Sequence, residues 1–252
     1  MKLRKLIVLG MLGLSLVSLT ACDGANNDSK ENSSSATEVS TENLSKKYES
    51  AGIGDIIEFG LYEQDNNDEN GYEAIEWIVL DKEDNRILVL SKYCLDVEPY
   101  YYANKDVTWE TSTIRQWLNE NFLERAFSVN EADIIMEAEL KNLDNEMGYY
   151  DEGKGGNDTK DKVFLLSIEE AKKYFSSDSD RIAEATEYAK EQGASTNFSD
   201  SDSEIPRWWL RSPGSDADLA SNVREDGSIA KSGLRVDYEG YCVRPALWIN
   251  IQ

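Results

Sequence analysis

The 252-residue chain contains no histidine. That absence removes the commonest general base, the usual partner of a serine or cysteine nucleophile, and the ligand on which most catalytic zinc sites depend. Positive charge is also scarce: 26 Lys and Arg stand against 49 Asp and Glu, a net charge of −23. A field of that sign repels phosphate backbones and anionic head groups, so nucleic acid is not an expected partner. Only three cysteines occur, Cys22, Cys94 and Cys242. The last two sit in apolar or aromatic stretches, where a disulfide and a pair of buried free thiols are both open. Beyond the N-terminus no apolar run is long enough to span a membrane.

The first five residues carry Lys2, Arg4 and Lys5 and no acid, and Leu6 to Leu19 is then almost wholly apolar. This run is short against the roughly 17–25 residues of a spanning helix, and it fits the charged and apolar regions of a secretory signal. It ends in Leu19-Thr20-Ala21-Cys22, which resembles the lipobox of bacterial lipoproteins. The resemblance implies cleavage after Ala21, a diacylglycerol on the Cys22 sulfur and attachment to the outer face of the cell membrane. Asp23 to Glu49 is Ser-, Asn-, Glu- and Lys-rich with almost no large apolar side chain. Such a segment buries too little surface to offset ordering entropy, so it is expected to be a disordered tether of roughly 26–31 Å reach. The expected organisation is a signal peptide over 1–21, a lipidated tether over 22–50 and one globular domain over 51–252.

That domain has about the size of a single folding unit, and six Trp, 13 Tyr and six Phe give it an aromatic core. Strands are expected at Gly54–Gly60, Glu76–Leu80 and Arg86–Leu90, the last two joined by a polar hairpin loop. Thr111-Ser112 caps a helix to about Asn121 whose Ile114, Trp117 and Leu118 share one face. Ala132–Leu140 fits either helix or strand. Val163–Leu166 reads as a short buried strand. Ser167 and Glu170 form a capping box, and a further helix runs from Thr186 to Gln192 and ends at Gly193. The last stretch is a series of short strands and turns, including the hairpin signal Asp226-Gly227. The class is α+β, with mixed short strands and two to three helices. In the acidic loop Gln64–Gly71, Asn66, Asp68, Asn70 and Gly71 imitate part of an EF-hand loop. The first position is Asn and the twelfth is Trp77, so a solvated hairpin tip is the reading, and neither metal nor cofactor is expected.

Glu76-Trp77-Ile78-Val79-Leu80, Thr108-Trp109-Glu110-Thr111-Ser112, Trp208-Trp209-Leu210-Arg211-Ser212-Pro213-Gly214 and Val243-Arg244-Pro245-Ala246-Leu247-Trp248 together resemble one bacterial family. It is the family of domains of unknown function numbered six-two-seven-three, over most of residues 52–252. More distantly, the C-terminal part is similar to C-type-lectin-like folds, which include formylglycine-generating enzymes. The resemblance implies a C-type-lectin-like domain in which N- and C-terminal strands pair and the segment between Arg211 and Val243 presents a ligand surface. The copper and oxygen chemistry of those enzymes needs a thiol pair near the C-terminus, where this chain has Cys242 alone.

Trp208, Trp209, Arg211 and Arg244 could stack on a sugar and grip an anion. Alternating aromatics in strands are more often core, and an Arg beside Pro in a closing strand more often binds backbone carbonyls. Under the lectin-like resemblance the candidate ligand contacts are Arg211, Asp216, Asp218, Asn222, Arg224, Arg235, Asp237 and Tyr238, because loops on a rigid scaffold commonly carry binding. The expected function is non-catalytic binding of an extracellular glycan or protein. The alternatives are a hydrolase using paired carboxylates, though no spacing singles out a pair, and a two-lobed solute-binding lipoprotein of a transporter. The transporter reading needs strands alternating with helices, which this chain lacks.

Overall fold

A computed structural model describes residues 41–147, 153–196 and 204–252. The expected signal peptide, the lipidation site Cys22 and the first part of the tether lie outside them. Among the described residues no helix is long and apolar enough to cross a membrane.

In chain order the strands are β1 (Ile56–Tyr62), β2 (Glu73–Glu83), β3 (Arg86–Ser91), β4 (Asp96–Val97), β5 (Ile135–Met136), β6 (Ala138–Leu140), β7 (Thr159–Asp161), β8 (Val163–Phe164), β9 (Trp208–Pro213), β10 (Leu219–Val223), β11 (Ile229–Arg235), β12 (Cys242–Val243) and β13 (Ala246–Asn250). The helices are α1 (Thr41–Lys47), α2 (Thr113–Trp117), α3 (Leu123–Ala126), α4 (Val129–Ile134), α5 (Ile168–Tyr174) and α6 (Glu187–Gln192). The class is therefore α+β, as the patterning implies. The three expected helices form, and α1 and α4 add to them.

One sheet runs β1-β2-β3-β13-β5, with β8 also paired to β13, and a second runs β11-β10-β9-β12-β4. Among these strands every pairing is antiparallel except that of β12 with β9. In β2, Ile75, Trp77 and Val79 alternate inward and are fully buried, the period-2 pattern of a strand with one face on a core. Ile87 to Leu90 of β3 and Ala246 to Ile249 of β13 are buried along their whole length, as befits strands covered on both faces.

The lectin-like resemblance implies that the first and last strands pair. The last strand does join the N-terminal sheet, but beside β3, in a register running from Ala246–Leu90 to Asn250–Arg86. The reason is local. The short turn at Asp84-Asn85 pairs β2 with β3, which leaves the free edge of β3, apolar from Ile87 to Leu90, to the equally apolar Ala246–Ile249.

The expected tether also ends earlier than residue 50. Helix α1 packs on α4, Leu44 packs against the core, and Tyr48 is buried. The Tyr48 ring meets Phe59 edge-on at 5.7 Å and its hydroxyl donates to the Glu58 carbonyl at 2.9 Å. A few apolar contacts in a polar stretch are enough to order it once a groove exists to receive them.

Four tryptophans, Trp77, Trp109, Trp208 and Trp209, are fully buried. Each indole N–H donates to a fixed acceptor: Trp77 to the Phe59 carbonyl at 2.7 Å, Trp109 to Asp161 at 2.9 Å, Trp208 to the Arg181 carbonyl at 3.1 Å and Trp209 to the Glu98 carbonyl at 3.0 Å. Large apolar area is thus buried without stranding a donor. The helix that Ser112 caps continues past Trp117 through a π-turn at Leu118–Phe122 into α3. Within that turn the Asn119 side chain donates to the Val163 carbonyl at 2.8 Å and accepts from the Val163 N–H at 3.1 Å, locking helix to strand.

Candidate ligand-binding surface

The structure divides the sequence candidates into three groups. The first is interior. Arg211 is 3% exposed and Asn222 is 1% exposed, so neither is the exposed contact that the turn-rich sequence suggests. Both lie on strands whose neighbours cover them on each side. Arg211 points into a polar interior, donating to the Leu165 carbonyl at 2.9 Å and pairing through both terminal nitrogens with Glu170. Arg244 behaves as a closing-strand arginine beside proline should. It is buried and donates to the carbonyls of Ser91 at 2.9 Å and Arg181 at 3.2 Å, and its guanidinium packs over Trp208. Burial pulls its pKa down to about 10. Trp208 and Trp209 are core rather than sugar-stacking residues.

The second group is Arg224 alone. It lies at the β10–β11 turn, donating to the Ser228 hydroxyl at 3.2 Å. Strand β10 separates it from the other candidates.

The third group comes together. Asp216 and Asp218 occupy the β9–β10 turn, and Arg235 ends β11 opposite Leu219. The Val236 N–H donates to the Asp218 carbonyl at 3.0 Å, which seats Arg235, Asp237 and Tyr238 beside that turn. Arg235 forks onto Asp237, Nε to Oδ1 at 3.1 Å and Nη2 to Oδ2 at 2.7 Å. The hydrogen bond from Arg235 holds the Asp237 carboxyl below the usual aspartate range, and the carboxylate raises Arg235 in turn. The half-buried Tyr238 ring meets Tyr241 edge-on at 4.9 Å.

A segment that the sequence did not single out completes this surface. The Tyr101 N–H donates to the Val236 carbonyl at 2.9 Å, and the Val107 N–H donates to the Ala217 carbonyl at 3.0 Å. These two bonds lay the 101–107 segment along the turn. Tyr102 is 69% exposed, its ring 4.4 Å from that of Tyr101. Lys105 sits over Tyr101, and its hydrogen bond lowers that phenol while raising the ammonium. The only sequence signal was the tyrosine run Tyr100-Tyr101-Tyr102 in an otherwise polar stretch.

The result is an exposed aromatic ring, a fixed ammonium, a forked Arg–Asp pair and two more acids on one rim. It can stack, donate and accept.

Neither a curated protein nor a solved structure matches this chain significantly. The family described as domain of unknown function (DUF6273) matches residues 84–251. That span begins later than the resemblance suggested and leaves Trp77 outside it. It still contains the Thr108–Ser112, Trp208–Gly214 and Val243–Trp248 stretches and the whole rim from Tyr101 to Tyr238. The chain therefore belongs to the DUF6273 family.

Proposed function

We propose that this chain is a lipid-anchored lipoprotein on the outer face of the cell membrane, whose folded domain binds an extracellular glycan or protein without transforming it. The observation that carries the proposal is the rim where Tyr102, Lys105, Asp218, Arg235, Asp237 and Tyr238 are brought together by backbone hydrogen bonds from 101–107. An exposed tyrosine beside fixed hydrogen-bonding charges is the composition of a recognition surface: apolar area at low entropic cost, with oriented polar groups for specificity. The described residues cluster as one compact unit, which supports a binding module over a two-lobed transporter component. The finer architecture we propose is C-type-lectin-like. Its support is the last strand's return to the N-terminal sheet and the display of turns between β9 and β12. The anchor rests on the Leu19-Thr20-Ala21-Cys22 motif.

A glycan and cell-wall-fragment binding screen on the full chain tests the proposal, with Arg235→Ala, Tyr102→Ala and Tyr238→Ala as variants. A specific hit lost in these variants is expected. A hit unaffected by all three, or a ligand recovered chemically changed, overturns it. Mass spectrometry of the N-terminal peptide from membranes checks the anchor, where a lipid-free Cys22 would remove that half.

A further inference from the structure

The loop joining β1 to β2 holds three carboxylates that converge. One oxygen from each of Glu63, Asp65 and Glu73 lies within 4.8 Å of the others. Glu63 directly follows β1 and Glu73 opens β2, where it pairs with Tyr62, so the ladder itself fixes two of the three. The loop is stiffened further. The Gln64 N–H donates to Glu73 Oε2 at 2.7 Å, the Asn67 N–H donates to Glu63 Oε1 at 2.9 Å, and Asn70 Nδ2 donates to Asp65 Oδ2 at 2.7 Å. Gln64 is tied to the rest of the fold through its carbonyl, which accepts the Tyr188 N–H of α6 at 3.0 Å.

Two features of this cluster are costly as it stands. Like charges at such separations repel. Glu63 is also only 2% exposed, and its Oε2 is buried with no hydrogen-bond partner. A buried, unpartnered acceptor carries its full desolvation cost. Among the described residues no lysine or arginine is ion-paired with any of the three, and residues 63–73 contain none.

We propose that Glu63, Asp65 and Glu73 form a calcium-binding site. A divalent cation would offset the mutual repulsion and give the stranded Glu63 oxygen a partner. The donors are all hard oxygens, which excludes soft-metal preferences. The spacing also fits: oxygens bound to one calcium at about 2.4 Å can be up to about 4.8 Å apart. The adjoining Asn side chains and backbone carbonyls can supply the further oxygens that calcium takes and that a strict octahedral magnesium site would not need. The ligands are not those of the EF-hand-like pattern, because Asp68 is not in the cluster. The site lies before residue 84, outside the family-matched span, and it does not depend on the ligand-binding surface.

Calorimetric titration of the full chain with calcium chloride, paired with thermal unfolding, tests this. One saturable calcium per chain and a calcium-dependent rise in the unfolding midpoint are expected. Affinity should fall at least about tenfold, the loss that even an outer ligand partner can cost, in Glu73→Gln and Glu63→Gln, and stay unchanged in Asp68→Asn. Glu63→Gln should melt no lower than the wild type in chelator, since it neutralises a stranded buried charge. No binding at about 10 mM calcium, above the roughly 1 mM of weak extracellular modules, overturns the proposal. So does binding that survives both glutamate changes, or magnesium binding tighter than calcium.

Discussion

Glu170 and Arg211 join a helix start to a central strand. Glu170 accepts the Ser167 N–H at 2.9 Å, closing the capping box of α5, while the Arg211 guanidinium of β9 grips the same carboxylate, Nη2 to Oε1 at 2.9 Å. The Ser167 hydroxyl returns the cap by accepting the Glu170 N–H at 3.1 Å. One side chain thus satisfies an orphan helix donor and neutralises a buried cation.

Removing Glu170 should therefore cost far more than an ordinary cap. Glu170→Ala leaves the Arg211 charge in the interior without its counter-ion, a loss of about 3–5 kcal/mol. Ser167→Ala removes only the hydroxyl half of the box, about 1 kcal/mol. Denaturant unfolding of the two variants checks the ordering, and equal losses would mean that the buried pair contributes little beyond the cap.

The β10–β11 turn makes a sharper steric statement. Gly227 has φ +80°, and a Cβ there would sit 1.8 Å from the Asp178 carbonyl oxygen. Gly193, which ends α6 at φ +111°, has open space around its missing Cβ. Both alanine variants meet backbone strain of about 1–3 kcal/mol, but only Gly227→Ala must also displace the Asp178 backbone. Gly227→Ala should therefore unfold at clearly lower temperature than Gly193→Ala, and indistinguishable midpoints would show that the Asp178 segment yields freely.

What was legible in the sequence was local chemistry. The Ser112 cap, the Ser167–Glu170 box, the Gly193 stop and the Asp226-Gly227 turn each depend on residues a few positions apart. The apolar runs on either side of a polar hairpin loop gave β2 and β3 within a few residues. What was not legible depends on partners far along the chain. Helix α1 carries few apolar residues and is ordered by α4, which no local pattern announces. The seating of β13 beside β3 follows from which sheet edge remains open. Arg211 and Asn222 read as polar residues near turns, yet both sit inside paired strands. The rim gained Tyr102 and Lys105 only because Tyr101 and Val107 hydrogen-bond to Val236 and Ala217, a long-range pairing without a sequence signature.

Acid should weaken one specific contact. Arg207 forks onto Glu225, Nε to Oε2 at 2.6 Å and Nη2 to Oε1 at 3.2 Å, and that hydrogen bonding holds the Glu225 carboxyl below the usual glutamate range. A carboxyl depressed in the folded state stabilises above its unfolded value, about 4.3. That contribution is lost as pH falls through the folded value. Glu225→Gln should thus be less stable than the wild type at pH 7, by about 1 kcal/mol or less for a partly exposed pair, and the gap should begin to narrow below about pH 4.3 and close as pH falls past the lower folded value. Denaturant midpoints measured across that range check it; a gap that persists at the acid end would assign the loss to packing instead.

The two domain cysteines should be silent until the fold opens. Cys94 and Cys242 are free and fully buried. Burial pushes the Cys242 thiol up, and a hydrogen bond with Cys94 adds to the rise. Since the thiolate is the reactive form, a thiol reagent should label neither in the native chain. The backbone holds both in place: the Cys94 N–H donates to the Glu184 carbonyl at 2.9 Å and the Cys242 N–H to the Arg207 carbonyl at 2.9 Å. In denaturant without reductant two thiols should react, with a third only where Cys22 carries no lipid. Labelling of the native protein would mean that the β4–β12 region opens readily. Failure to label after denaturation would mean that the neighbouring thiols have oxidised to a disulfide, a cross-link that would stabilise the fold by constraining its unfolded state.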